Sequence, residues 1–194
     1  STINLKLAYK VAIIMPFMSN GYVPAPTKEI PSQSIKAVEF YEGVLIALDS
    51  LKAEGISLFV DVFDSQRDTA VVWGLLQKRE LKEADLIVGP VTSSTIKIVA
   101  EYAKETKKPM ISPFNSRADL TTNNPYYIQV NPSFEVHSDY IIEHIHKIER
   151  DKDIIREPLE KNLLILGIKE DSLRVKMLQK SYSTYKNDSS AQIP

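Results

Sequence analysis

The twelve residues "ADLIVGPVTSST", Ala84 to Thr95, decide the fold. Three consecutive apolar residues, Leu86-Ile87-Val88, read as a short strand buried on both faces. Gly89-Pro90 ends that strand abruptly, since proline supplies no amide to a ladder. Four hydroxyl side chains, Thr92 to Thr95, then open an amphipathic stretch over Thr95 to Thr106, in which Ile96, Val99, Ala100 and Ala103 share one face. A buried strand, a tight corner and a helix make a strand–helix unit whose corner carries polar groups. Those hydroxyls either cap the helix or hold a polar guest at its positive end.

Outward from this unit the same alternation repeats. Upstream, Leu7 to Phe17 ("LAYKVAIIMPF") is a fully buried strand, and Ser34 to Gly55 is a helix carrying Ala37, Tyr41, Val44, Leu48 and Leu51 on one stripe. Ile56 to Phe63 is a second strand. Asp68 caps a helix over Thr69 to Leu81 with Val72, Leu75 and Leu76 inward. Downstream, Pro109 to Phe114 and Tyr126 to Val130 are the fourth and fifth strands, and Phe134 to about Arg150 is a helix. A charged stretch then leads to a strand at Leu163 to Gly167 and a last helix at about Leu173 to Tyr185. Short connections between alternating elements predict an α/β fold, a doubly wound parallel sheet. Residues 1–132 form one α/β lobe. A lone strand is not stable, so residues 133–194 read as a crossover and the incomplete start of a second α/β lobe. A fragment of a longer protein is the expectation.

Composition narrows the chemistry. The 194 residues carry a formal net charge of -1, with no basic run longer than a pair such as Lys107-Lys108, which excludes nucleic acid and anionic membranes as partners. No cysteine is present, so disulfides and thiolate chemistry are out. Six glycines form no phosphate-binding loop, and no nucleophile elbow exists. His137, His144 and His146 sit on one helix at spacings that give no shared metal site. Neither an enzyme nor a cofactor is expected. Ligands of parallel sheets bind beyond the carboxyl ends of the strands, so the strand-end loops hold the candidates. These are the long loop Pro16 to Ser34, "FDSQRD" with Asp64 and Asp68, the Thr92–Thr95 corner, and "ISPFNSRADL" with Asn115, Ser116 and Arg117. Asp64 and Asp68 read as a turn and a helix cap, with a cation or ammonium contact as the alternative.

In order along the chain, "AVEFYEGVLIALDSLKAEG", "DVFDSQRD", "ADLIVGPVTSST", "KKPMISPFNS" and "YYIQVNPS" resemble the N-terminal lobe of type I periplasmic binding proteins, the branched-chain amino acid receptor-like solute-binding family. The "MPF" and the first helix are similar to a Bacteroidetes subgroup linked to LysM modules. The resemblance implies a receptor that binds a small polar ligand, such as an amino acid or peptide fragment, between two lobes. It carries ligand contacts onto Thr92, Ser93, Ser94, Asn115, Ser116 and Phe17, although Phe114 and Asn115 stand where amino-acid binders have small residues. It further implies an exported, periplasmic or cell-envelope protein whose signal peptide is not in this chain. The implied partners are an ABC permease or cell-wall components, and a second copy in a homodimer. The alternative is a ligand-free envelope interaction domain on the same fold.

Overall fold

The computed structural model of the protein describes residues 8–20, 30–150 and 172–190. The chain divides into two compact units, Ser1–Asn131 and Pro132–Pro194. In the first, five parallel strands form one sheet: β1 (Tyr9–Met15), β2 (Leu58–Asp64), β3 (Leu86–Val88), β4 (Met110–Ser112) and β5 (Tyr127–Gln129). Their spatial order is β2-β1-β3-β4-β5, with every pairing parallel. The chain therefore steps from β1 to β2 on one side, then reverses and builds β3, β4 and β5 on the other. β1 is the pivot of that reversal, in register with Leu58–Asp64 on one flank and Leu86–Val88 on the other.

Alternation along β1 sets up two cores. Ala12 and Ile14 point to the face covered by α2 (Thr69–Leu76), α3 (Arg79–Glu83) and α4 (Ser93–Thr106). There they join Ile87, Met110 and Tyr127 of the other strands in a fully apolar layer. Ile13 and Met15 point to the opposite face and meet Ala37, Phe40 and Val44 of α1 (Ser32–Ala53). Being buried on both sides explains why "VAIIM" carries no polar residue. Near β5 the α1 face of the sheet lies bare among the described residues, with Ile128 exposed. Gly55, at φ +80°, follows the end of α1 as expected.

The helix read over Thr69 to Leu81 is instead two helices. On one continuous helix Leu81 would stand five residues, about 140° around the axis, from Leu76 and so point away from the core. Gln77 and Lys78 break the helix, Lys78 turning extended, and Leu81 is buried beside Leu76 and Ala84. The α4 helix begins two residues before the expected Thr95, because Thr92 takes the extended N-cap position.

The second unit contains α5 (Phe134–Arg150), with the bounds read from the sequence, and α6 (Ser172–Ser190). The two pack on each other around Ile142 and Ser138, with Lys180 paired to Glu135 and Arg174 over the Phe134 ring. The strand expected at Leu163 to Gly167 lies outside the described residues.

Candidate functional site

The reversal of strand order falls between β1 and β3, and there the loops diverge to leave a crevice. Its floor is the β1 end, Met15 and Pro16. On the β3 side, Gly89 passes against β1 so closely that a Cβ there would lie 2.1 Å from the Ile14 carbonyl oxygen. Its φ is +84°, its amide donates to the Ile111 carbonyl, and the Gly89–Pro90 peptide bond is cis. Only glycine meets both demands. The chain then turns through Val91 into α4.

The start of α4 is polar and uncapped. The Thr92 hydroxyl is engaged with the Thr95 hydroxyl and makes no bond to a first-turn amide. Thr95 is buried and also donates to the Thr92 carbonyl. Ser93 and Ser94 are exposed, and their amides, which the helix cannot itself satisfy, have no side-chain acceptor. Thr92 takes the N-cap position without a side-chain cap, and Ser93 and Ser94 remain exposed beside it.

The β2 end is rigidly built around Asp64. One carboxylate oxygen accepts the amides of Met18 (3.2 Å) and Gln66 (2.9 Å), and the other accepts the Ser19 amide and hydroxyl (both 2.7 Å). Burial pushes this carboxyl up, but those four donors outweigh it and hold it below its ordinary range. The Ser65 amide donates to the Met15 carbonyl, tying the β2 loop to the β1 end. Gln66 and Arg67 are both left-handed, at φ +49° and +56°. Asp68 caps α2 by accepting the Ala70 amide at 2.7 Å. The two aspartates thus perform the turn and cap roles, and neither faces a cation among the described residues.

Together these loops and α1 border an open cavity of about 1480 Å³. Its wall carries polar side chains, Arg67, Thr92, Ser93 and Ser94 with Lys36 and Glu39 of α1, and apolar ones, Phe40, Val44 and Phe114. Phe40 and Phe114 meet edge to face, ring centroids 5.5 Å apart, and Asn131 donates to the Phe114 carbonyl.

The expected site residues separate in three dimensions. Thr92, Ser93 and Ser94 stand together on the wall. From the β4 end the wall receives Phe114, while Asn115 is buried and accepts the Arg117 amide, and Ser116 is exposed beyond the wall. Phe17 packs on the α1 core and against the Tyr41 ring, so it supports the floor from behind. Arg117 is committed to Asp119. Arg67, Lys36, Glu39 and Phe40 were not among the expected residues. Position after a strand end was a signal for Arg67; nothing in the α1 pattern distinguished Lys36 from a solvated residue. No group of His, Asp or Glu able to hold a metal exists among the described residues.

Residues 41–149, more than half of the chain, match the family described as "Receptor family ligand binding region". Among curated protein sequences the chain matches none. Several solved structures share its fold. An ABC transporter substrate-binding protein from Desulfitobacterium hafniense, in complex with leucine, aligns at 15% identity and TM-score 0.59, over 93% of this chain and 48% of that one. A leucine-binding protein from Thermotoga maritima aligns at 16% identity and TM-score 0.53, over 91% and 46%. A solute-binding protein of an ABC transporter from Rhodopseudomonas palustris, in complex with p-hydroxybenzoic acid, aligns at 14% identity and TM-score 0.54, over 92% and 44%. The chain spans less than half the length of each of these proteins.

Proposed function

We propose, because this chain belongs to the receptor family ligand-binding region, that it supplies one lobe of an exported solute receptor, with the β1/β3 cavity as the half-site for a small ligand bearing an acidic group. The observation that carries this reading is the uncapped start of α4, with Ser93 and Ser94 exposed on the cavity wall. Free amides at a helix start carry partial positive charge, and two hydroxyls can add donors, so a carboxylate placed there gains several charge-assisted hydrogen bonds. The apolar residues of the wall suit the body of the ligand, which would pack on Phe40, Val44 and Phe114.

Size supports a two-lobed arrangement. A closed small-molecule pocket holds roughly 300–1,000 Å³, and this cavity, at about 1480 Å³, is too large for one small ligand to fill. A second lobe closing over it would reduce the volume, expel water and strengthen every hydrogen bond to the ligand. The aligned part of this chain covers less than half of each of the solved structures. Binding and release would be reversible, with no bond made or broken. Delivery to a membrane permease is the partner role that fits such a receptor, and no described helix is long and apolar enough to cross a membrane by itself.

The experiment is a thermal-shift screen of the full-length protein against amino acids, short peptides and aromatic and aliphatic acids, followed by calorimetry. A ligand from the screen is expected to raise the melting temperature. Ser94→Ala is expected to weaken its binding about tenfold, the scale of one hydrogen bond to a charged group. Silence across the screen, or unchanged affinity in Ser94→Ala, would contradict the reading, and silence would favour the ligand-free interaction domain.

A further inference from the structure

Arg67 is a cation without a polar partner among the described residues of its own unit. Its acidic neighbours in sequence are both occupied: Asp64 by four donors and Asp68 by the Ala70 amide. Arg67 makes no hydrogen bond or ion pair among the described residues, and neither does Lys36, the other cation on the cavity wall. Glu39 is the single acid on that wall, one turn along α1 from Lys36, and forms no ion pair with it. The loop around Arg67 is firmly held. Ser65 is tied to Met15, Gln66 to Asp64, and the Asp68 amide to the Ser65 carbonyl, so a left-handed Arg67 is fixed at the cavity edge between anchored residues.

Two strand steps separate β2 from β3, which flank β1, so at about 4.8 Å per step the strands these loops leave stand on the order of 10 Å apart, and both loops contribute to the same cavity wall. A guanidinium reaching inward can therefore meet a second acidic group of a ligand whose first acidic group lies at Ser93 and Ser94. Closing a lobe over an unpaired guanidinium is costly unless the guest brings the counter-charge. We infer that Arg67, assisted by Lys36, is the specificity-determining residue of the cavity and selects small ligands with two acidic groups, the class of dicarboxylates and acidic amino acids. This inference rests on the receptor reading above and adds to it the charge of the ligand. It sets this chain apart from the solved substrate-binding protein captured with leucine, which has a single carboxylate.

The test is calorimetric titration of the full-length protein with charge-matched pairs: L-glutamate against L-glutamine, and succinate against succinamate. The first pair represents acidic amino acids and the second plain dicarboxylates, so the two sources are told apart by which pair binds. The wild-type protein is expected to prefer the doubly acidic member by ten- to hundredfold, the scale of one charge-assisted bidentate contact. Arg67→Gln should reduce that preference to about twofold or less while leaving the singly acidic member's affinity unchanged. Arg67→Lys, which keeps the charge, should retain most of it. A wild-type protein that binds both members equally, or an Arg67→Gln variant that keeps the preference or loses both members alike, overturns the inference. Binding of L-leucine that is weakened by Ser94→Ala yet indifferent to Arg67 would leave the receptor reading standing and remove only the second acidic group. No binding of any of these, in a protein that is also silent in the wider screen, overturns both.

Discussion

At Gly89 the chain pays a steric toll that only one side chain avoids. With φ at +84° and the Ile14 carbonyl 2.1 Å from where a Cβ would sit, any substitution must push β3 away from β1. That displacement would occur at the pivot of the sheet and at the edge of the cavity together. Gly89→Ala should therefore lower the stability of the protein by about 2 kcal/mol or more, in the range where backbone strain and overpacking combine. Chemical denaturation checks it, and a cost within about 0.5 kcal/mol, the ordinary surface value, would mean the two strands are not packed this closely. The residue scale also holds what was hardest to read in advance. Thr92, Ser93 and Ser94 were legible because a cluster of hydroxyls after a Gly-Pro corner is a local signal. For Arg67 the position after a strand end was a signal, but that Asp64 and Asp68 accept backbone amides and leave it without a partner among the described residues is something no spacing encodes. Phe114 replaced Asn115 on the wall for a similar reason: the Asn115 side chain turns back to its own loop to accept the Arg117 amide.

At the scale of elements, burial patterns carried the sequence reading and helix continuity misled it. "VAIIM" and "LIV" are apolar at every position, and both strands lie inside the sheet with a helix layer on each side of β1. Leu81 looked like the continuation of an apolar stripe, yet a break at Gln77–Lys78 was needed to bury it. The β2 loop makes the element-scale prediction. Asp64 is held below its ordinary value of 3.8 by the donors of Ser19, Gln66 and Met18 against the upward push of burial. A carboxyl depressed in the folded state stabilises above the unfolded value and loses that contribution as pH falls through the folded value. The amides of Met18, Ser19 and Gln66 should therefore keep their chemical shifts down to about pH 4 and move together only in more acidic solution. Asp64→Asn should abolish that concerted movement. A transition at or above pH 4, or one confined to a single amide, would show that Asp64 does not join the two loops.

On the scale of the whole molecule, a parallel sheet with order β2-β1-β3-β4-β5 creates one reversal point, and the cavity there has on its wall the free α4 start and, from the neighbouring β2 end, Arg67, unpaired among the described residues. Three independent features meeting at the place where parallel sheets bind ligands is the reason to read the lobe as half of a receptor. The bare stretch of sheet near Ile128 is a separate matter and contributes nothing to the cavity wall. The most direct measurement is an amide-resolved NMR titration of the full-length protein with the ligand that stabilises it most in the thermal screen. Saturable shifts are predicted for Arg67, Val91 to Ser94 and Lys36 to Phe40. Shifts that avoid these residues and collect instead around Phe59 or Ile128 to Val130 would contradict the account.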